Sequence, residues 1–350
     1  MSNNIKVAVL GHFGAGKNLS NGQTIKTKII TEELSEQLGD ENVLKIDTHG
    51  GIKTLLLSPL HTIKALKSAR NVIIFPAHNG LRVYAPLLSF YGRLFKNRKI
   101  HYIVIGGWLP QFLIKRKSLT RTLKKFDGIY VETNAMKKAL DAQGFENVFV
   151  MPNCKKLTAL SENELVYQSS APYKLCTFSR VMKEKGIEDA VCAVNRVNKK
   201  YNHTIFSLDI YGQIDNEQVK WFDELSDNFN NNIKYCGIVP FDKTTMILKN
   251  YYALLFPTFY EGEGLAGTLI DAKAAGIPII ASDWKYNTEV VLDGINGYIY
   301  PTGDVGELEK KLIYIYENMD EWNEKKIYSL LDAKKYDVTQ AVDIIVSRLV

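Results

Sequence analysis

Short, nearly unbroken apolar runs alternate with longer segments of helical period along the whole chain. In the first half strands are predicted at Lys6–Gly11, Val43–Asp47, Asn71–Phe75, Lys99–Ile105, Gly128–Glu132 and Asn147–Met151, and helices at Gln23–Leu38, Thr54–Ala69, Leu81–Phe95 and Ala135–Gln143. Strands apolar on both faces, separated by helices, are what a parallel sheet covered on both sides requires. Met151-Pro152-Asn153 closes the last of these strands, and the polar stretch from Lys155 to Pro172 reads as a linker. The second half repeats the pattern, with strands near Tyr173–Ser179, Phe206–Tyr211, Ile233–Cys236, Ala253–Phe256, Pro278–Ala281 and Gly297–Tyr300 and further helices after Gly303. The expected architecture is α/β, two doubly wound domains at 1–153 and 154–350, with the last helix free to pack back on the first. Ligands of such sheets sit at the C-terminal ends of the strands, so two facing edges would form an interdomain cleft for two substrates.

The most informative stretch runs from Leu254 to Asp283. A buried strand is followed by a glycine-studded acidic loop, a helical pattern over Leu269–Ala275, a stop at Gly276 and a second apolar strand. Glu263 lies in the loop and Asp271 on the helix, eight positions apart. Helix N-termini favour anions, so carboxylates beside one need another contact, such as sugar hydroxyls. Phosphate-binding dipoles combined with hydroxyl-accepting carboxylates point to a nucleotide-sugar.

Glu263-x7-Asp271-Ala-Lys-Ala-Ala-Gly276-Ile-Pro278 resembles the donor signature of the retaining glycosyltransferases of family 4, with Asp for the second Glu and Ala266 where Pro is common. Phe178-Ser179-Arg180-Val181-Met182-Lys183-Glu184-Lys185-Gly186 resembles that family's second marker, with Ser179 replacing Gly. Asp293-Gly294-Ile295-Asn296-Gly297 and Leu208-Asp209-Ile210-Tyr211-Gly212 add support for the fold. The likeness is good over most of Tyr173–Asp304 and only in outline over the first half. It implies the GT-B fold, two Rossmann-like domains, an acceptor domain at 1–153 and a nucleotide-sugar domain at 154–350. By resemblance the catalytic group is Glu263 on the sugar hydroxyls with Arg180 and Lys185 on the diphosphate. Asp271 is implied on the ribose, with donor contacts from Gly212, Gly264, Leu265, Ala266, Gly267, Gly14 and Gly16. Acceptor contacts fall to Asn21, Gly22, Gly107 and Trp108. No metal and no cofactor are implied, and the leaving phosphate itself takes the acceptor proton. The closest wording is that of enzymes building capsular or exopolysaccharide repeat units on lipid-linked sugars, at the inner face of the cell membrane.

Two further motifs invite different functions. Gly11-x4-Gly16-Lys17 has P-loop spacing, but Asn18 stands where Ser or Thr should bind Mg²⁺; Asp47 is the one strand-end acid suited to hold that ion. Gly262-x-Gly264-x-x-Gly267 matches a dinucleotide fingerprint with Asp283 beyond, yet Glu263 would point a carboxylate at the pyrophosphate. A non-catalytic sugar- or membrane-binding protein is the third class, and a phosphorylase or synthase acting on a soluble glucan stays open within the fold. His12, His78 and His101 fall near strand ends; His101 reads as a strand residue.

Charge adds one point. Residues 1–153 carry 22 Lys+Arg against 10 Asp+Glu, and the rest 22 against 28. Between Asp47 and Asp127 there are 15 basic residues and no acidic one, which points to an anionic partner. The interleaved apolar and basic residues of Phe90–Lys99 and Trp108–Phe126 suit an anionic membrane surface. No nucleic-acid module is present, so nucleic acid is not expected. The four cysteines are widely spaced and the N-terminal apolar core is short, so reduced thiols, no signal peptide and a cytoplasmic, peripheral protein are expected.

Overall fold

The structure, a computed structural model, describes residues 6–14, 22–240 and 243–350. The chain forms two compact units, one of Met1–Lys156 with Tyr336–Val350 and one of Leu157–Lys335. The boundary therefore lies just after Lys156, and the end of the chain belongs with its beginning.

In the first unit β1 (Val7–Gly11), β2 (Val43–Asp47), β3 (Asn71–Ile74), β4 (Lys99–Ile103), β5 (Gly128–Val131) and β6 (Val148–Val150) form a parallel sheet ordered β2-β1-β3-β4-β5-β6. β1, β3 and β5 are buried at every position, the reason their sequences read as continuous apolar runs. The C-terminal helix Val338–Val346 lays Val338, Ala341, Val342 and Ile345 against Ile30 and Leu34 of the helix Gly22–Leu38 and the strands beneath. The return is fastened by paired backbone, Lys155 N–H to Tyr336 O at 3.1 Å and Val338 N–H to Lys155 O at 2.9 Å. Gly22–Leu38 has no apolar stripe, because Thr24, Lys26, Thr27, Thr31 and Glu33 are on its buried side. Lys26 donates to Glu132, just past β5, at 2.6 Å, with both side chains at most 4% exposed.

Helical segments differ from expectation where proline or chain length intervenes. The span expected as one helix from Thr54 is two, Ile52–Leu56 and Ser58–Ser68, with Pro59 in the first turn of the second. The basic segment after Trp108 forms short helices at Leu109–Leu113 and Lys117–Leu123.

In the second unit β7 (Tyr173–Phe178), β8 (Phe206–Tyr211), β9 (Ile233–Gly237), β10 (Ala253–Phe256), β11 (Ile279–Ser282) and β12 (Gly297–Tyr300) form a second parallel sheet ordered β12-β11-β10-β7-β8-β9. Its core joins Leu175, Leu208 and Ile280 of the strands to Val194, Leu312 and Trp322 of the flanking helices. The stretch read as a linker is held to this unit, with Leu160 N–H donating to Ala274 O at 2.9 Å and a capping box between Ser161 and Glu164. Among the described residues no helix is long and apolar enough to cross a membrane.

Candidate functional site

The second sheet delivers its chemistry where β7 and β10 end. After β7 the chain makes a single tight turn, Lys183–Lys185, closed by Gly186 at φ 67°. A Cβ on Gly186 would lie 2.1 Å from the Pro257 carbonyl oxygen. Only glycine tolerates both this backbone region and this approach, so the turn is pressed onto the end of β10. Two further bonds complete the seam, Phe259 N–H to Glu184 O at 2.8 Å and Thr258 Oγ1 to Glu184 O at 3.3 Å, and Gln218 Nε2, from the loop after β8, donates to Glu184 Oε2 at 2.9 Å. Gly186→Ala is expected to lower stability by about 2–3 kcal/mol through this strain and clash, read as a lower urea midpoint. An unchanged midpoint would show that the turn is not held in this way.

The seam brings Lys185 to Glu263. Lys185 Nζ lies 2.5 Å from Glu263 Oε2, with side chains 10% and 8% exposed. The Thr258 hydroxyl donates to the same oxygen at 2.9 Å, and Ser282 Oγ in turn holds the Thr258 carbonyl at 2.6 Å. Glu263 is thus a withdrawn carboxylate fixed through Oε2 by a cation and a hydroxyl, and among the described residues no donor sits on Oε1. Tyr260 gathers the cations: Lys185 lies 5.0 Å and Arg180 5.6 Å from its ring centre. Arg180 is half-exposed and paired with Asp215 at 3.3 Å. Asp271 follows one turn into the helix Gly267–Ala274 and is buried to 5%. That helix has no side-chain cap at Ala266, and Leu265 is buried, so Leu265 can offer a ligand only its backbone. Gly212, at φ 135°, lies against Ser179, whose carbonyl oxygen a Cβ would meet at 1.7 Å; it locks the ends of β7 and β8 together.

The first sheet has its own cluster at the ends of β1 and β2. His12 Nδ1 is 2.7 Å from Thr24 Oγ1, and His12 Nε2 is 2.7 Å from His49 Nδ1. Burial and the neighbouring His49 hold the His12 pKa below its usual range. Asp47 Oδ1 accepts from the backbone N–H groups of Phe13 at 3.0 Å and His49 at 2.8 Å, so it acts as a latch between the two loops. Asp47 thus has a structural use at the end of β2 that the P-loop reading does not call for. Beyond β3 and β4, His78 stacks on Trp108 at 3.9 Å between centroids, and the Trp108 indole N–H is spent on Ile105 O at 2.8 Å. Trp108 can therefore give a ligand its ring and not its donor. Gly107 is buried, Gly14 takes φ 91° and Gly22 opens its helix. Gly16, Lys17 and Asn21 lie outside the described residues.

Asp283 and His101 are each engaged within their own unit, His101 as the strand residue expected. Asp283, the acid of the dinucleotide fingerprint, accepts from both the N–H and the hydroxyl of Thr302, at 2.8 and 2.6 Å. His101 is buried within β4, its Nδ1 3.1 Å from the Tyr130 hydroxyl, and burial pushes its pKa down to about 4. The residues missed in the sequence are Thr258, Tyr260 and His49. Thr258 and Tyr260 stand in the segment that carries Glu263, but nothing in their spacing marks them as its support.

Two parallel-sheet Rossmann-like units of this order define the GT-B fold. The HepE structure from Anabaena in complex with UDP superposes with a TM-score of 0.75 at 15% identity, covering 98% of this chain and 99% of that one. The lipopolysaccharide outer core galactosyltransferase WaaB gives 0.71 at 16%, covering 98% and 99%. Residues 172–318, which contain Arg180, Lys185, Glu263 and Asp271, match the family model described as Glycosyl transferases group 1. An uncharacterized glycosyltransferase of Methanocaldococcus jannaschii is 30% identical over 177 residues, 50% of this chain and 43% of that protein. The GtfA subunit of a UDP-N-acetylglucosamine–peptide N-acetylglucosaminyltransferase from Streptococcus gordonii is 28% identical over 186 residues, 51% of this chain and 34% of that protein. The matches thus span less than half the length of these curated relatives.

Proposed function

We propose that this chain is a retaining, metal-independent hexosyltransferase that moves a sugar from a uridine diphosphate sugar to a saccharide acceptor. The observation that carries the reading is the withdrawn Lys185–Glu263 pair beside Arg180, inside the segment that matches the glycosyltransferase family model. The uridine base is suggested by HepE, whose structures hold UDP and UDP-glucose, and by GtfA, whose name specifies UDP-N-acetylglucosamine. In this reading the second unit holds the donor. Arg180 and Lys185 neutralise the diphosphate, Glu263 accepts from sugar hydroxyls, and Asp271 accepts from the ribose. The backbone of Gly264–Gly267 and the close approach at Gly212 complete the seat. Charge develops on the phosphate oxygen as the bond to the anomeric carbon breaks, and preplaced cations stabilise that state more than the ground state. The acceptor oxygen bonds the same face of that carbon, and its proton passes to the departing phosphate.

The first unit takes the acceptor, with Gly14, Gly16, Asn21, Gly22, Gly107 and Trp108 as contacts and His49 added to them. The acceptor is a lipid-linked saccharide, and the work is capsule or exopolysaccharide assembly at the inner face of the cell membrane.

The test is thermal unfolding with UDP, GDP, ADP and TDP and with UDP-glucose and UDP-N-acetylglucosamine. A ligand present at 100 times its Kd adds about 2.7 kcal/mol of stability, enough to raise Tm by several degrees. UDP and one UDP-sugar are expected to do so without added metal. If none of the nucleotides shifts Tm while Mg²⁺-dependent ATP turnover is lost in Lys17→Ala, the P-loop reading replaces this one. Slow release of UDP from the UDP-sugar would count against a non-catalytic binding protein.

A further inference from the structure

We infer that the outer face of three adjacent helices in the first unit is a docking surface for an anionic phospholipid bilayer. The inference deepens the reading of a transferase with a lipid-linked acceptor and rests on it for its purpose, though not for its test. The helices Ser58–Ser68, His78–Tyr91 and Lys117–Leu123 pack side by side in that order. Their inward positions are apolar and buried: Ala65 and Leu66, Leu81, Tyr84 and Leu88, and Leu119 and Leu123.

The outward positions have two unusual properties. Large apolar side chains project from them, from the adjoining turns and from the end of the short helix Ile52–Leu56: Leu56 is 76% exposed, Leu60 63%, Phe90 62%, Leu94 70% and Ile114 56%. Scattered single exposed apolar residues are ordinary, but five on the rim and face of one helical layer are not. The other property is charge of one sign. Lys64, Lys67, Arg93, Lys96, Lys117 and Arg121 are exposed among these side chains, and none forms an ion pair among the described residues. No carboxylate occurs anywhere from residue 48 to 126, so the three helices themselves bring no negative charge to this layer.

Protruding apolar tips set among unpaired cations suit an interface in which the tips enter the acyl region and the cations meet lipid phosphates. A polyanion such as RNA would use the cations and leave the leucines idle. The face also reaches toward the strand ends of this unit, because Leu56 closes the short helix Ile52–Leu56 that follows His49 and the end of β2.

The experiment is co-sedimentation of the full chain with phosphatidylcholine vesicles, with and without phosphatidylglycerol. The wild type is expected to bind the anionic vesicles at least about tenfold better than the neutral ones. The triple variant Leu56→Ser, Leu60→Ser, Phe90→Ser and the triple variant Lys64→Glu, Lys67→Glu, Lys117→Glu should each lose at least about tenfold in binding. All six side chains are exposed, so the fold should stand, and the UDP-induced rise in Tm serves as the check on it. Equal binding to both vesicle types would overturn the inference, as would wild-type binding by the serine variant. A single-stranded RNA oligonucleotide that binds the wild type and the serine variant equally, with no vesicle binding by either, would assign the face to polyanions instead. Loss of the UDP response in the wild type would count against the donor reading and leave the vesicle result to be judged by itself.

Discussion

Glu263→Gln is expected to reduce release of UDP from the UDP-sugar by about two to three orders of magnitude while UDP itself binds within about threefold of wild type. The substitution keeps the shape of the side chain and lets an amide oxygen accept from Thr258, so the seam between β7 and β10 is preserved. What it removes is the charge, and with it both the attraction to Lys185 at 2.5 Å and the strength of any bond from a sugar hydroxyl. UDP lacks the sugar, so its affinity should be nearly indifferent to the change; the split between turnover and UDP binding is the informative readout. Alanine is the poorer probe. It would leave Lys185, whose side chain is only 10% exposed, without its partner, and breaking a buried pair from one side costs about 3–5 kcal/mol. Turnover within threefold of wild type in the Gln variant would remove Glu263 from the reacting centre.

The second large effect concerns stability. Lys326→Met should make the protein more stable at pH 7, by up to about 4 kcal/mol, and flatten its stability between pH 7 and 10. Lys326 is 1% exposed, and its Nζ meets the Tyr251 carbonyl at the long distance of 3.5 Å. Burial pushes its pKa down from 10.5 to about 7. The sign follows from proton counting. Between pH 7 and 10.5 the unfolded chain holds a proton that the folded chain does not, so stability rises with pH across that window. Below pH 7 the folded state carries the charged amine, and the full cost is present. Methionine matches the length of the stem without the amine, so it removes the cost. Lys273, lowered to about 8 by burial although Asp332 faces it, contributes in the same direction and is unchanged by the substitution. The measurement is urea unfolding at pH 7, 8 and 9, below the range in which buried tyrosines begin to ionise in the unfolded chain. A variant less stable than wild type at pH 7 would show that the amine is solvated or paired after all.

Both predictions start from buried charge, the feature hydropathy handles worst. The strands were legible because a parallel sheet covered on both faces needs continuous apolar runs, and β1, β3, β10 and β11 supply them. The acidic loop and the Arg180-to-Lys185 turn were legible because glycines and charges at strand ends stand out against those runs. Gly186 could be read as the end of the second marker, but its contact with Pro257 joins two places far apart in the chain.

Sequence by itself therefore determined the α/β alternation, the two sheets and the positions of the charged residues, because local period and composition follow the neighbours along the chain. Tertiary structure decided which charges meet. Lys26 finds Glu132 across 106 positions and Lys185 finds Glu263 across 78. His12 finds His49, and the last fifteen residues return to the first unit. The physical reason is that desolvation and pairing depend on distance in space. A lysine on a helix looks the same in sequence whether its amine ends in water, on a carboxylate, or, like Lys326, in the core.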